Sequence, residues 1–293
     1  MIKVNQLTKD YGDTGIFDLS FNIQEGEVFG FVGTNGAGKT TTIRHLMGFL
    51  KPQKGHCEIT GLNCWHEAAA VKQLVGYIPG EIAFPDAKTG WAFLQQQAEL
   101  VGLTNLDYAK QLIETLQLDP SANLKRMSKG MKQKTAIVAS LMHDPAVLLL
   151  DEPTTGLDPL MRAAFLDIIK MEKAKGKTIF MSTHLFNEVE EVCDRVAMIK
   201  QGRITEIVNT AQILHQQKQQ FTIQFTNVTD AQKFQTEQFN VVASEASSVT
   251  VEVAAQELTP FLQCLGNYEV ADVIEQRPTL EAYFEQHYRE VAK

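Results

Sequence analysis

The sequence lacks the long apolar runs and the paired cysteines that would place it among membrane-spanning or disulfide-stabilised proteins. Its longest apolar stretch, residues 135–150, is interrupted by His143, Asp144 and Pro145, whereas a membrane span needs roughly 18 uninterrupted apolar residues. Only four cysteines occur, at scattered positions, which favours a reduced chain over a disulfide scaffold. The first residues, MIKVNQLTKDYG, do not resemble a signal peptide, so we expect a cytoplasmic protein.

The sequence also lacks the basic excess that is typical of a general nucleic-acid binder. It carries 27 Lys and Arg against 35 Asp and Glu, a net charge of −8 in 293 residues. Twelve acidic and five basic residues fall within 205–293, so that segment alone has a net charge of −7. This shift in composition predicts two domains, 1–204 and 205–293.

Alternating strand and helix patterns predict an α/β fold with a mostly parallel sheet in the first domain. Apolar runs such as EVFGFVG and AVLLLDE are typical of buried strands. A helical block at about 84–144 interrupts the alternation and is predicted to be an insertion. The second domain has the order strand, helix, strand, strand, helix, strand, followed by one extra helix at 279–291. This order predicts a small ferredoxin-like α+β domain.

Residues 33–40, GTNGAGKT, follow a predicted strand and open a predicted helix, which is the context of a phosphate-binding P-loop. Glycines allow backbone N–H groups to surround phosphate oxygens, and the helix N-terminus adds positive potential. We expect Lys39 to reach the β- and γ-phosphates and the Thr40 hydroxyl to ligate Mg²⁺. The predicted nucleotide contacts in this segment are Gly33, Thr34, Asn35, Gly36, Ala37, Gly38, Lys39, Thr40 and Thr41.

Two further segments carry weaker signals. The run LLLDE at 148–152 ends a predicted strand in two carboxylates, of which Asp151 is suited to hold Mg²⁺ and Glu152 to polarise a water. An ordinary acidic pair at a strand end has the same sequence. The run MSKGM at 127–131 precedes a helical pattern, so Ser128 could cap that helix and Gly130 could allow a close backbone approach.

The order of these segments, followed by GLD and STH, resembles that of the ATP-binding-cassette (ABC) ATPases over roughly residues 1–205. The resemblance implies that ATP and Mg²⁺ are bound and that two cassettes enclose two ATP molecules. The P-loop of each cassette then faces the signature segment of the other. In this chain MSKGM stands for the family signature LSGGQ, keeping Ser128 and Gly130 but differing at Met127, Lys129 and Met131.

The resemblance also implies roles for individual residues. Lys39, Glu152 and His184 would act in catalysis, Asp158 would lie at the interface between cassettes, and Tyr11 would stack on adenine. His184 could instead be an ordinary structural or surface histidine. Tyr11 could instead be an aromatic residue of the core or of a turn.

One family position is occupied differently in this chain. The usual glutamine after the strand that ends near Tyr77 is absent from GYIPGEIAFP, where Gly80 takes its place. Glu81 is the nearest side chain that could approach Mg²⁺ or water, and it is predicted as a metal contact.

The resemblance implies a second cassette and a transmembrane permease subunit as partners, no nucleic acid, and a peripheral location on the inner face of the cell membrane. Phe84 and Trp91 are candidates for the surface that contacts the permease, although core packing is an equal alternative. The segments TTGLDP, SKGMKQ and RPTLEAYF resemble the bacterial exporter branch, which includes antibiotic-resistance transporters.

Three other functions remain as alternatives: an importer ATPase, a soluble ABC ATPase that acts on ribosomes or DNA, and a P-loop kinase. A zinc site is a further possibility, but the spacing of its candidate ligands matches no common pattern. Those candidates are His56, Cys57, Cys64 and His66.

Overall fold

The structure is a computed structural model that describes residues 1–85, 87–216, 219–276 and 279–284. The chain divides into two compact units, Met1–Asn209 and a second that begins at Thr210. The boundary predicted after residue 204 would fall within a strand of the first unit, Arg203–Asn209. The domain bounds remain a prediction.

In the described part of the chain, the first unit contains two β-sheets. Its strands are, in chain order, β1 (Ile2–Asp10), β2 (Gly15–Ile23), β3 (Val28–Val32), β4 (Lys54–Ile59), β5 (Leu62–Asn63), β6 (Val75–Ile78), β7 (Val147–Asp151), β8 (Thr178–Thr183), β9 (Arg195–Lys200) and β10 (Arg203–Asn209). The larger sheet has the order β10-β9-β3-β8-β7-β6 and is parallel apart from β10. The smaller sheet is antiparallel, with the order β2-β1-β4-β5.

One hydrophobic core lies between the two sheets. Every residue of β3, β7 and β8 is buried, as expected for parallel strands that are covered on both faces. Phe21 of β2 stacks on Phe29 of β3 with 5.5 Å between ring centroids, and Phe180 of β8 completes the group. The mostly parallel sheet is thus confirmed, whereas the sequence pattern did not reveal the second sheet, because periodicity does not specify strand pairing.

The seven α-helices of the described first unit fall into two groups. Four connect strands: α1 (Lys39–Leu46), α2 (Ala68–Leu74), α6 (Pro159–Ala174) and α7 (Phe186–Val192). The other three form the helical insertion: α3 (Gly90–Leu100), α4 (Asp107–Thr115) and α5 (Lys129–Leu141). Among the described residues, no helix has both the length and the apolar character that crossing a bilayer requires.

A buried carboxylate anchors the helical insertion to α6. Glu172 near the end of α6 is fully buried and accepts hydrogen bonds from the Tyr108 hydroxyl of α4 at 2.5 Å and from Lys175 Nζ at 2.7 Å. It also contacts the Lys177 ammonium. Burial by itself raises the pKa of Glu172, but these donors outweigh it and the pKa is lowered. The charged carboxylate therefore fixes α4 against the core of the unit.

The second unit contains a four-stranded antiparallel sheet in the order β12-β13-β11-β14. Its elements are α8 (Thr210–Gln216), β11 (Gln219–Phe225), α9 (Val228–Phe234), β12 (Asn240–Glu245), β13 (Ser248–Val253), α10 (Leu258–Leu265) and β14 (Val270–Gln276). From β11 onwards the order β-α-β-β-α-β is that of the ferredoxin-like fold, as predicted. Much of the extra helix predicted at 279–291 lies outside the described residues.

Candidate functional site

The P-loop joins β3 to α1, and its glycines occupy positions where a side chain would be strained or would clash. Gly36 and Gly38 have φ angles of 81° and 111°, in the left-handed region. A Cβ atom at Gly33 would lie 2.4 Å from the carbonyl oxygen of Ile199 in β9. These glycines therefore allow the backbone to turn tightly between β3 and α1, so that Lys39 is the first residue of α1.

Lys39 connects the P-loop to the end of β7. Its buried ammonium donates to the carbonyl oxygens of Gly33 at 2.5 Å and Thr34 at 3.2 Å. The same Nζ atom lies 3.1 Å from Oε1 of Glu152. A cation is thus held at the mouth of the loop, where an anionic ligand would compete for it.

Glu152 lies between two partners at the carboxyl end of β7. Its Oε1 faces Lys39, and its Oε2 lies 2.6 Å from Nδ1 of His184, which follows β8. The backbone of Glu152 has a φ of 49°, and its N–H donates to the carbonyl oxygen of Ser182 at 3.1 Å. The turn directs the carboxylate toward the P-loop, so Lys39, Glu152 and His184 form one connected group.

Asp151 lies directly behind this group and is fully buried. Its Oδ1 accepts a hydrogen bond from the Ser182 hydroxyl at 2.6 Å, while no described group donates to its Oδ2. A Cβ atom at Gly80 would lie 3.0 Å from that Oδ2. A buried carboxylate oxygen without a donor is suited to a hard cation such as Mg²⁺, so these residues fit the predicted metal.

A cleft of about 660 Å³ opens over the P-loop. Of the residues predicted from the sequence, those that line it are Tyr11, Asn35, Gly36, Gly38, Lys39, Thr40, Thr41, Glu81, Glu152 and His184. The predicted residues that do not line it are Gly33, Thr34, Ala37, Asp151, Ser128, Gly130 and Asp158. The structure therefore brings ten of the predicted residues, from Tyr11 to His184, together in one cavity.

The cleft also contains residues that sequence reasoning missed, namely Thr14, Gly15, Arg44, Tyr77, Pro79, Lys129 and Thr155. Arg44 could have been found, because it lies four residues after Thr40 on one face of α1. Tyr77 lies on β6, and burial, followed by the negative charge of Asp151, raises its pKa to about 12. Nothing in its local sequence signals this position.

Tyr11 lies at the edge of the cleft with 52% of its surface exposed. Its backbone N–H donates to the carbonyl oxygen of Thr14 at 2.9 Å, which fixes the turn between β1 and β2. The Lys9 ammonium lies 5.5 Å from the ring centroid. The ring is not part of the core, so the core alternative for this aromatic residue does not apply.

Ser128, Gly130 and Asp158 have local partners within the first unit. The Ser128 hydroxyl accepts from the Met131 N–H at 3.2 Å and caps α5, and Asp158 caps α6 in the same way. A Cβ atom at Gly130 would lie 2.8 Å from the carbonyl oxygen of Gly156. The start of α5 therefore lies directly against the loop that precedes α6.

Comparisons with known proteins agree with this geometry. A family model described as ABC transporter matches residues 16–155. The uncharacterized ABC transporter ATP-binding protein YhcH of Bacillus subtilis (strain 168) is 33% identical over 269 residues, which span 90% of this chain and 88% of that protein. The bacitracin transport ATP-binding protein BcrA of Bacillus licheniformis is 36% identical over 210 residues, or 70% of this chain and 69% of BcrA.

A solved structure described as the ATP binding subunit of an ABC transporter is also similar to this chain. It aligns with a TM-score of 0.67 and 31% identity, covering 74% of this chain and 92% of the other.

Proposed function

Because the chain belongs to the ABC transporter family of ATP-binding proteins, we propose that it is the ATP-hydrolysing subunit of an exporter and drives a separate transmembrane subunit. Members of this family bind and hydrolyse ATP. The observation that carries the proposal is the connected group of Lys39, Glu152 and His184 at the mouth of the P-loop. It combines a phosphate-binding cation, a base and a histidine that holds the base.

The P-loop backbone would enclose the β- and γ-phosphates of ATP. In this proposal the Lys39 ammonium exchanges its carbonyl partners, Gly33 and Thr34, and its contact with Glu152 for phosphate oxygens. Thr41 and Asn35 line the same cavity and would contact the phosphates as well. The exposed ring of Tyr11 would stack on the adenine base.

Mg²⁺, when bound, would neutralise developing negative charge on the phosphates. Thr40 and Asp151 would hold it, since Thr40 lines the cleft and Asp151 Oδ2 has no donor among the described residues. Gly80 has no side chain that could reach Mg²⁺ beside Asp151. We propose that the exposed Glu81, the next residue, contacts Mg²⁺ instead.

Glu152 would accept the proton of the attacking water, while His184 holds the carboxylate and contacts the γ-phosphate. The 2.6 Å contact between His184 Nδ1 and Glu152 Oε2 supports this pairing. Both groups line the cleft that the P-loop faces, so base and phosphate would meet in one cavity.

Two cassettes would be needed for a complete site. Ser128, Gly130 and Asp158 do not line the cleft of their own chain, which supports a role across an interface between two cassettes. ATP binding would then close the dimer, and hydrolysis would reopen it.

We expect Ser128→Arg to prevent ATP-driven dimerisation while leaving ATP binding by the monomer unchanged, because the residue would act on the partner's nucleotide. The substitution also removes the cap of α5, at a cost of about 1 kcal/mol of stability. Thr89→Arg is the matched control, because Thr89 caps α3 in the same way but lies outside the cleft. Loss of monomer ATP binding in Ser128→Arg would contradict the proposal.

The proposal that the protein is part of an exporter is supported by the description of one relative, BcrA. BcrA is described as a bacitracin transport ATP-binding protein, and this chain shares 36% identity with it over 210 residues. We propose that a transmembrane subunit docks near the helical insertion, on the inner face of the cell membrane. Phe84 packs edge-on against Phe93 of α3 at 4.7 Å, whereas Leu100 at the end of α3 is 79% exposed. The exposed end of α3 is therefore included in the proposed docking surface.

Co-purification from its source cells tests the transporter assignment. We expect the tagged chain to be recovered from detergent-solubilised membranes together with a protein of several membrane spans. Recovery with ribosomes or DNA and without a membrane protein would instead favour the soluble ABC class and overturn the proposal.

A further inference from the structure

Glu188, in the first turn of α7, is one of three carboxylates that are fully buried in the described part of the chain. The other two are Asp151, at the predicted metal site, and Glu172, which anchors α4. Because Glu188 is fully enclosed by the protein, it cannot touch a nucleotide in the cleft. A carboxylate is buried at low cost only when it is paired and hydrogen-bonded, so the partners of Glu188 indicate which segments it holds together.

Two threonine hydroxyls donate to Glu188, and each lies close in sequence to a residue of the connected group at the P-loop. Thr183 donates to Oε2 at 2.8 Å and directly precedes His184. Thr154 donates to Oε1 at 2.6 Å and lies two residues after Glu152. A carboxylate only accepts hydrogen bonds, so both hydroxyl protons point at Glu188. Glu188 therefore joins the end of β8 to the loop after β7.

The Thr183 hydroxyl also shapes the turn that contains His184. Its oxygen accepts a hydrogen bond from the Leu185 N–H at 3.1 Å, which closes a short turn around the histidine. Because the hydroxyl proton is directed at Glu188, a lone pair of the same oxygen is left for this N–H. The position of His184 therefore depends on a hydroxyl that Glu188 orients.

The turn that follows Glu152 is fixed by the same carboxylate. Glu152 has a φ of 49°, and its carbonyl oxygen accepts from the Thr155 N–H at 3.1 Å. A residue other than glycine keeps such a backbone conformation only where surrounding contacts enforce it. Thr154 lies inside this turn, is only 4% exposed and donates to Glu188. Glu188 thus supplies one of the contacts that keep Glu152 in place.

Arg162 of α6 supplies a positive charge to Glu188. Its Nε atom lies 3.5 Å from Oε1 of the carboxylate. The backbone N–H of Arg162 donates to the carbonyl oxygen of Asp158 at 2.9 Å, in the first turn of α6. Glu188 therefore has two hydroxyl donors and one cation, which come from β8, the loop after β7 and α6. Three separate segments meet at this one side chain.

We infer that Glu188 is a positioning residue for ATP hydrolysis, which keeps Glu152 and His184 at the separation that allows their 2.6 Å contact. The inference rests on the proposed function, in which Glu152 accepts the proton of the attacking water. Glu188 acts only through Thr154 and Thr183, so it affects the rate of hydrolysis and not the affinity for ATP, which the P-loop provides. A displacement of about 1 Å can lower the rate of an enzyme about 100-fold.

Glu188→Gln in the full chain tests the inference. An amide of the same shape accepts through its oxygen but donates through its nitrogen, so it cannot accept from both hydroxyls as the carboxylate does. We expect kcat for ATP hydrolysis to fall about 10- to 100-fold, while KM for ATP changes less than about two-fold. Phosphate release at a series of ATP concentrations measures both constants. A wild-type kcat in this variant would overturn the inference.

Glu172→Gln is the matched control. Glu172 is also fully buried and accepts from a hydroxyl, that of Tyr108, but it does not line the nucleotide cleft. Both substitutions should lower the melting temperature, because each leaves buried donors unpaired. Only Glu188→Gln should lower kcat, measured at a temperature at which both variants are folded. An equal loss of kcat in the two variants would mean that Glu188 only stabilises the fold.

A double-mutant cycle tests whether Glu188 acts through Glu152. In a chain that already carries Glu152→Gln the base is missing, so adding Glu188→Gln should slow the residual hydrolysis less than about three-fold. Single-turnover conversion of labelled ATP measures these slow rates. A loss as large as in the wild-type background would overturn the inference alone. Wild-type turnover in Glu152→Gln by itself would overturn the proposed base, and the inference with it.

Two variants of Thr183 provide the test if Glu188→Gln does not fold. Thr183→Val has nearly the same shape but lacks the hydroxyl, whereas Thr183→Ser keeps the hydroxyl and lacks the methyl group. We expect kcat to fall about ten-fold in Thr183→Val and to lie within about three-fold of the wild-type value in Thr183→Ser. A loss in Thr183→Ser as large as that in Thr183→Val would assign the effect to packing and overturn the inference.

Discussion

Lys39→Ala should abolish high-affinity ATP binding. The ammonium is buried at the mouth of the P-loop and is the cation that would face the β- and γ-phosphates. Charge-assisted hydrogen bonds contribute roughly 1.5–3 kcal/mol each, so the loss of two predicts an affinity lower by about 100-fold or more. The melting temperature of the wild-type chain should rise with ATP, whereas that of the variant should not.

Lys110→Ala is the control for the loss of a lysine. Lys110 pairs with Asp107 at 3.0 Å on the exposed surface of α4, where such a pair contributes little to stability. The melting temperature of the Lys110→Ala protein should rise with ATP as much as that of the wild type. An equal rise in Lys39→Ala would show that the P-loop lysine does not contact the phosphates.

Glu152→Gln should bind ATP but hydrolyse it about 10²–10⁴ times more slowly, because an amide cannot accept the proton of the attacking water. Glutamine has nearly the same shape, so the contacts with Lys39 and His184 change in charge more than in position. The ATP-bound dimer should accumulate. Phosphate release measures the first effect, and size-exclusion chromatography with ATP measures the second.

The matched control is Glu114→Gln, an exposed glutamate on α4 outside the cleft, which should hydrolyse ATP at the wild-type rate. Wild-type turnover in Glu152→Gln would exclude this residue as the base. Loss of ATP binding in the same variant would indicate that the carboxylate is needed to hold the P-loop together rather than to accept a proton.

The sequence predicted the parts of the site that depend on contiguous residues. A P-loop is a local structure, because its glycines and lysine act through neighbouring backbone, and so GTNGAGKT could be read directly. The apolar run that ends at Asp151, with Glu152 directly after it, is a weaker signal, because an ordinary acidic pair at a strand end has the same sequence. The ferredoxin-like order of the second unit followed from alternating patterns in the same way.

Features that depend on tertiary contacts could not be predicted. Glu152 has a left-handed backbone with a φ of 49°, a conformation that usually indicates glycine, so its residue type does not predict it. Thr14 enters the cleft because the two sheets pack together, and Tyr77 because β6 pairs with β7. Neither arrangement is encoded in periodicity. The packing of Lys129 on Gly156 joins residues that are far apart in the sequence.

The position of β10 has a consequence for dissecting the chain. This strand belongs to the first unit and pairs antiparallel with β9 along its length, Val196 opposite Val208. A shortened protein that ended at Gly202 would lack β10 and leave β9 as an exposed edge strand. The unpaired N–H and C=O groups of β9 could then pair with strands of other chains and cause aggregation. A shortened protein that ends at Asn209 keeps β10 paired with β9, so we expect it to aggregate less than one that ends at Gly202.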